Sequence, residues 1–465
     1  MTAQRPHDLA VIGGGLSATA LACELARRAD PAFRALIFNR ADLGPGTAYA
    51  PQSASLLMNG PVRAMSAVPG EDRHLANYLV TEADDALICR ARFGAYLRAT
   101  SANALAQHGG LVHERAEILD IERIDEGYRL TDERGKRHNA RNVVLALGNL
   151  PPDDRFLPES IRRHPGYAGD PWTADIAHFD PGADVVIVGS RLTAMDTIAL
   201  LDECAFRGRV HIVSRHGLLP LIEDTSVRGV DATTLDLDTR TPFTLLRSMR
   251  RAAARFSGDW RALAESLRPV TPAIWSRWND RERKRFLRHL QSMWAIHRYR
   301  VPPATYAAFE RMNAEGRITI HRGRVTGGSA RPDGITLEIA SGGGPFSLHA
   351  TYVVNCTGPN SNLRTVAHPL VQNGLARGIM RPDPLALGID ADTGYRVIDA
   401  SGHAQPALFA MGPLLRGLWY ETTAVNEIRQ HAVAIAARLL QVAFDPARPA
   451  AVDVELPDGI ARKVS

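Results

Sequence analysis

Cysteine is scarce in this chain of 465 residues: there are four, Cys23, Cys89, Cys204 and Cys356, and no two are close in sequence. Without a Cys-x-x-Cys pair, dithiol redox centres and cysteine-based zinc sites drop out, and no metal site is expected. The thiols read as small buried side chains of a protein in a reducing compartment. An excess of one charge is lacking too. The formal net charge is +5, from 55 Lys and Arg against 50 Asp and Glu, so nothing calls for a nucleic-acid partner. The apolar stretch from Leu9 to Ala26 is broken by Gly13, Gly14 and Gly15 and lacks the basic n-region and cleavage site of a signal peptide. It reads as a buried strand, turn and helix, so no membrane partner is expected and the cytoplasm is the default location. No nucleophile and base stand at the spacing of a catalytic dyad.

What is present begins with an ordinary globular composition, 45% hydrophobic and 23% charged, in a length that suits two or three domains. Two glycine-rich strand-to-helix turns stand out. The first, DLAVIGGGLSATALACEL from Asp8, sets Gly13, Gly15 and Ala18 in a GxGxxA arrangement. Such spacing lets an apolar strand turn sharply into a helix and lets a pyrophosphate approach the backbone. The helix N-terminus then offers free N–H groups and partial positive charge to the phosphates. The second, VVIVGSRLTAMDTIALLD from Val185, keeps Gly189 and Ala194 but carries Arg191 where close approach calls for glycine. That side chain either fills the channel or pairs with phosphates. Ser214, Arg215 and His216 follow the next strand, where Arg and Ser read a 2′-phosphate in an NADP site or simply form a polar turn.

The rest of the chain repeats one plan twice. Strand Arg34–Asn39 follows the first helix, and a long Gly/Pro-rich loop covers 41–67. Helices are expected near His74–Val80 and Arg92–His108, alternating strands near Ala116–Arg123 and Tyr128–Thr131, and a closing strand over Val143–Asn149. In the second copy the strand from Val210 follows the turn, alternating segments span Ile318–Leu348, and YVVNCTGP from Tyr352 closes it. A helical insertion rich in Arg, Leu and Ala occupies about 241–315, with Trp260, Trp275, Trp278 and Trp294 as packing anchors. The expected class is therefore α/β: two Rossmann-like dinucleotide-binding domains, three-layered, each with a small β-meander, the second carrying the helical insertion. The expected boundaries are 1–175 for the first segment of one domain, 176–360 for the other, 361–445 for the C-terminal segment of the first, and 446–465 for a surface tail.

At these residues the chain resembles the two-dinucleotide-binding-domain flavoproteins, the group that includes flavin-dependent monooxygenases and N-hydroxylating enzymes. More narrowly it is similar to an FAD/NAD(P)-binding family with a GxGxAY loop and a C-terminal G-x-W-x-E helix start. The matching residues are Gly13, Gly15 and Ala18, LGPGTAY ending at Tyr49, LLMNGP around Asn59, Gly148 and Gly358, and GPLLRGLWYETTAVNEIRQ from Gly412. The resemblance implies FAD with its pyrophosphate over Gly13, Gly15, Leu16 and Ser17 and its ribose near Asn39 and Arg40. Its ring would lie near Tyr49, Asn59, Gly148, Gly412, Thr422 and Thr423, with a helix starting near Glu421 aimed at it. A second site for NADPH or NADH would use Gly189, Arg191, Ser214 and Arg215.

Three departures from the pattern count. Asn39 replaces the acid expected about 20 residues beyond the glycines, Arg191 replaces a glycine, and HPGYAGDPW from His164 lacks the phenylalanine-glycine-histidine fingerprint of many flavin monooxygenases. The implied function is an FAD-dependent oxidoreductase acting on a small metabolite, foremost an NAD(P)H-driven monooxygenase. The alternatives are an oxidase or dehydrogenase reduced by its substrate, with a degenerate NAD(P) site, or a non-catalytic flavoprotein partner. Tyr49, Asn59, Arg416, Trp419 and Tyr420 are the candidates for the substrate face of the flavin.

Overall fold

The run Leu9–Ile12 is apolar at every position because both its faces are covered, and none of the four is more than 4% exposed. The computed structural model describes residues 6–50, 53–80 and 83–442; the surface tail expected at 446–465 lies outside them. Strand His7–Ile12 sits between Ala35–Phe38 and Arg137–Leu145 and runs parallel to both, with Leu9 opposite Ala35 and Asn142. Leu111–Glu114 extends this sheet on one side. On the other side the chain returns from far downstream: Ala404–Ala410 pairs in parallel with Arg137–Leu145, and Arg396–Ile398 closes the edge. Helices Leu16–Arg28, Arg90–Gln107 and Val425–Val442 cover one face. Strands Ile118–Ile124 and Gly127–Asp132 and helix Pro369–Ala376 cover the other.

The second unit repeats the plan with five parallel strands in the order Ile318–Arg322, Val210–Ser214, Val185–Val188, Tyr352–Asn355, Tyr167–Ala168. Beside it lies an antiparallel meander of Arg324–Arg331, Gly334–Ala340 and Phe346–Ala350. The α/β class with two Rossmann-like units is thus the observed architecture.

Several elements differ from the reading of the sequence. The closing strand of the first unit begins at Arg137, not Val143. Its first half pairs antiparallel with Gly127–Asp132 and its second half parallel with His7–Ile12, so only the second half, covered on both faces, is continuously apolar. Ile318–Arg322 is an edge strand of the parallel sheet, not part of the meander; its sequence alternates, while only Ile318 is buried. Helix Pro303–Ala314 packs on Leu192–Glu203 and feeds that edge strand, so it is the crossover of the second unit and the inserted helices end at Arg298.

Those inserted helices start where side-chain caps place them. Thr241 and Thr244 form a reciprocal box before Pro242–Arg255, the Asp259 carboxylate accepts from Arg261 N–H before Trp260–Leu267, and Asn279 accepts from Glu282 N–H before Asp280–His289. Trp275 and Trp278 are buried, at 1% and 4% exposure, with Phe286, and the same cluster takes in Leu387 and Tyr420 from the C-terminal segment. Trp275 Nε1 donates to Gly417 O at 2.8 Å. The insertion, which belongs to the second unit in sequence, is packed on the segment that completes the first.

A buried ion pair also ties the units together. Arg90, at the start of Arg90–Gln107, meets Asp196 of Leu192–Glu203 at 3.0 Å and lies over the Trp172 ring at 4.7 Å. Burial holds the Asp196 carboxyl above its ordinary pKa, and Arg90 pulls it back down. Removing one partner strands the other in a low-dielectric place. Arg90→Met is expected to cost roughly 3 kcal/mol in denaturant unfolding, and the double change Arg90→Met with Asp196→Leu to recover most of it. A cost below about 1 kcal/mol for the single change would show the pair to be solvated.

Candidate active site

The two glycine turns are superposable in their backbone angles. Gly13 has φ +116° and Gly189 φ +114°; a Cβ on either would lie 2.3 Å from Ala146 O or 2.2 Å from Cys356 O, the carbonyls ending each closing strand. Only glycine fits there. Two residues on, Gly15 (φ −88°, ψ −160°) and Arg191 (φ −99°, ψ −158°) share an extended backbone open to any residue. Arg191 therefore costs no backbone strain. What differs is the space above the turn. In the first unit the loop backbone lies against it, so that a Cβ on Gly46 would stand 3.0 Å from Gly15 Cα, and Gly44 N–H donates to Gly14 O at 2.7 Å. Neither Leu16–Arg28 nor Leu192–Glu203 has a side-chain cap or an acid in its first turn. Their first N–H groups and positive dipole ends remain available to an anion.

Asn39 and Arg40, both expected near the ribose, part company. Asn39 Nδ2 donates to Ala41 O at 2.8 Å and Asp42 O at 3.2 Å, which leaves Oδ1 as the acceptor of a side chain whose Cβ, Cγ and Nδ2 lie against Gly14. Arg40 turns to the surface and pairs with Glu117 at 2.6 Å, so its charge is spent away from the turn. Tyr49 is half-buried, edge-on to Phe93 at 4.8 Å, and burial raises its pKa against the pull of Arg90; it fixes the loop to the first core. Asn59 is exposed. Gly148 has open space where a Cβ would be. Ser17 is 4% exposed, and a Cβ on Gly412 would stand 2.8 Å from its Oγ, which brings the C-terminal segment against the first turn.

In the second unit the Ser214 hydroxyl is engaged by Ser190 Oγ of the glycine turn at 2.9 Å and by Gly217 N–H at 3.1 Å. Arg215 is exposed. Arg191 is exposed too. Burial lowers its pKa, the charges of Arg416 and Arg215 lower it further, and Tyr420 and Tyr299 oppose them.

In the C-terminal turn two of the candidates for the flavin face make packing contacts. Tyr420 (φ +63°) is 3% exposed and stacks on Trp275 at 4.7 Å, with Phe286 edge-on at 5.2 Å. Trp419 packs toward Tyr395. Both are held in packing. Arg416 lies over the Tyr420 ring at 5.2 Å. The last helix starts at Val425 and not near Glu421, and Thr423 is exposed. Glu421 is 1% exposed and takes a different role: its Oε1 accepts from the Tyr299 hydroxyl at 3.3 Å, and Oε2 lies 3.5 Å from Arg298 Nη2. Arg268 holds Glu427 through two bonds of 3.0 and 3.1 Å. The sequence reading had none of Arg268, Arg298, Tyr299 and His431 among its site residues. For Arg268, Arg298 and Tyr299 the only signal is a run of cations in the insertion, which says nothing of the carboxylates they meet; His431 lies in the last helix.

These residues suit FAD in two respects. Thr422 Oγ1 is buried and lacks a hydrogen-bond partner among the described residues, the state of a hydroxyl awaiting a ligand. The uncapped Leu16–Arg28 terminus and the open space at Gly148 give a dinucleotide a cradle. Among the described residues no cluster of His, Cys, Asp or Glu is suited to a metal ion, and no helix is long and apolar enough to cross a membrane.

Comparison with known proteins bears on the same region. Residues 10–150 match the FAD-NAD(P)-binding family. No curated protein matches the chain in sequence. Among solved structures, an ornithine N-hydroxylase of Kutzneria sp. 744 is similar at 13% identity and a TM-score of 0.65, over 94% of this chain and 99% of that one. An ornithine hydroxylase from Pseudomonas aeruginosa is similar at 18% identity and a TM-score of 0.63, over 94% and 99%. An L-lysine 6-monooxygenase from Pseudomonas syringae is similar at 17% identity and a TM-score of 0.63, over 94% and 100%. At these identities the likeness establishes the fold alone, the pair of Rossmann-like units described above.

One titration follows from the cradle itself. Gly412 N–H donates to His431 Nδ1 at 3.2 Å, and burial pushes this histidine down to about 4, with Glu427 opposing. The unfolded chain takes up this proton first, near the ordinary 6.5. The contribution of His431 to stability is therefore whole above pH 6.5 and falls as the pH drops toward about 4, by roughly 3 kcal/mol in all. His431→Gln keeps an acceptor and cannot protonate, so its unfolding free energy should fall less over that window. An unchanged slope would refute the assignment.

Proposed function

We propose that the protein is an FAD-dependent monooxygenase, reduced by NADPH or NADH and acting on a small metabolite. The observation that carries this reading is the matched pair of turns: two uncapped helix starts with one backbone geometry, both glycine-pinned, in a fold shared with hydroxylases and a monooxygenase as well as with thioredoxin reductases. Gly13, Gly15, Leu16 and Ser17 would hold the pyrophosphate of FAD, Asn39 Oδ1 a ribose hydroxyl, and Gly148, Gly412 and Thr422 the ring end. Arg40, Tyr49 and Thr423 leave that set on the contacts and exposure described. Bound there, FAD supplies two-electron transfer from a nicotinamide and activation of dioxygen. The chain contributes binding, orientation and cover: the Trp275–Tyr420 stack closes the insertion over the C-terminal turn, which favours exclusion of water. No side chain need bond to substrate. We take residues 1–175 and 361–445 as the FAD unit and 176–360 as the nicotinamide unit. The four unpaired cysteines fit a reducing cytoplasm.

Arg191 favours a second reading, in which a substrate reduces the flavin directly and the second unit is scaffold. Anaerobic mixing with NADPH and NADH separates the two. The monooxygenase reading expects bleaching of the visible flavin band in the native protein. A native protein that keeps its colour with both, while Arg191→Gly bleaches, would establish the second reading.

A further inference from the structure

The whole chain carries a formal net charge of only +5, yet residues 242–289 hold twelve Lys and Arg against four Asp and Glu. The rest of the molecule is slightly acidic, so the basic excess is confined to the inserted helices. The four acids of this stretch are taken by other arginines: Asp259 meets Arg261 at 2.9 Å, Asp280 meets Arg283 at 3.9 Å, Glu282 meets Arg285 at 2.7 Å, and Glu265 meets Arg300. What remains points outward. On helix Pro242–Arg255, Arg247, Arg250, Arg251 and Arg255 are exposed and have no ion pair among the described residues. Their spacing sets them with Phe243 on one side of the helix, while Leu245 and Met249 pack toward the Trp275 cluster. On helix Asp280–His289, Arg281, Lys284 and Arg288 form a second exposed row, likewise without an ion pair among the described residues, and Phe286 turns inward. The two helices pack together and the Phe243 ring meets that of His289 at 6.1 Å, so both rows belong to one surface. Phe243 is exposed on it, and Met293 is exposed one turn beyond His289. Beside Arg251 and Arg255 lies a cavity of about 410 Å³, whose lining includes the apolar Val230, Leu235 and Phe256 and a single carboxylate, Asp236.

We propose that this outer face of the insertion docks on an anionic lipid surface, its two rows of cations against the headgroup phosphates and Phe243 and Met293 between the headgroups. Exposed guanidinium groups that no internal carboxylate satisfies are drawn to a negative surface, and each raises the affinity by about fivefold. An acidic protein would supply the charge but would have to bury Phe243 and Met293 in matching pockets. A headgroup layer admits isolated apolar side chains and closes around them. The slightly acidic remainder of the molecule is repelled by the same surface, which fixes the orientation of the docked protein. No described helix is long and apolar enough to cross a membrane, and surface docking requires none. The docking face is also independent of the flavin site, since none of its residues belongs to either glycine turn.

The test uses the full-length protein and vesicles of phosphatidylcholine alone or of phosphatidylcholine and phosphatidylglycerol in equal parts, with bound protein read by cosedimentation. At about 0.1 M salt the protein is expected to sediment with the mixed vesicles only, and at about 1 M salt, where charge is screened within a few ångströms, to be released. Arg247→Gln, Arg250→Gln and Arg251→Gln together should weaken binding by about a hundredfold. Arg322→Gln, Arg324→Gln and Arg331→Gln together remove the same charge from exposed positions of the second unit outside the insertion and should leave binding as it is. Equal binding to both kinds of vesicle, no binding to the mixed ones, or an equal loss from the two triple variants overturns the proposal. Binding to poly-L-glutamate in place of the mixed vesicles overturns it too, and would assign the face to an acidic protein. The comparison of vesicles is made on native protein and needs no variant to fold.

Discussion

Everything at the site hangs on the contact of two glycines with two carbonyls. Gly13 over Ala146 O and Gly189 over Cys356 O leave no room for a Cβ, so the first strand of each unit must turn at that point and lie beside the closing strand. The helix that follows then starts at the carboxyl edge of the sheet with its N–H groups unspent. Where a dinucleotide can lie in such a fold is decided by this turn, and the loop from Gly44 and the segment from Gly412 are arranged around it. The equality of the two backbones matters most for Arg191. Because Gly15 and Arg191 share one conformation, arginine entered the second turn without altering it, and its effect is one of charge and space.

Elements with a local signature were legible in the sequence, and elements defined by their neighbours were not. Leu9–Ile12 and Val185–Val188 announce themselves because burial on both faces demands unbroken apolar residues. Arg137–Asn142 does not, because half of that strand faces a meander and alternates. Ile318–Arg322 alternates as an edge strand and so imitates the meander beside it. Val433 fits the apolar stripe of the last helix and is 38% exposed, since that stripe is wider than the face the helix buries. At the site, the glycines could be read because a backbone constraint is written in one residue. The partners of Glu421 could not. Arg298 and Tyr299 lie more than a hundred positions away, on helices whose only visible property was charge. The packing of Tyr420 was illegible for a related reason: an aromatic beside a glycine motif looks like a ring-facing residue, and its stack on Trp275 joins residues far apart in sequence.

The buried charges do more for arrangement than for net stability. Arg268 with Glu427, Arg298 with Glu421, and Arg300 with Glu223 and Glu265 all stand in or against the inserted helices. Such pairs gain little over apolar packing of the same volume, because desolvation offsets the attraction, but a misplaced one is costly. Their consequence is a single docking position for the insertion on the C-terminal turn. Together with the tie of Arg90 to Asp196, this leaves few arrangements of the two units that keep every charge matched.

The return of the chain to its first sheet has a consequence for biosynthesis. Ala404–Ala410 pairs with Arg137–Leu145, Leu408 opposite Val143, so the first sheet cannot be finished until the chain as far as Ala410 has left the ribosome. Through that interval the apolar Val143–Leu145 edge stands without its partner, while the second unit, continuous in sequence, is already able to fold. An open strand edge of this kind invites pairing with other chains. The Gly412 turn and the helix Val425–Val442, which complete the cradle, are made after the whole second unit, so the nascent protein cannot form its complete dinucleotide site before the fold that protects it has closed.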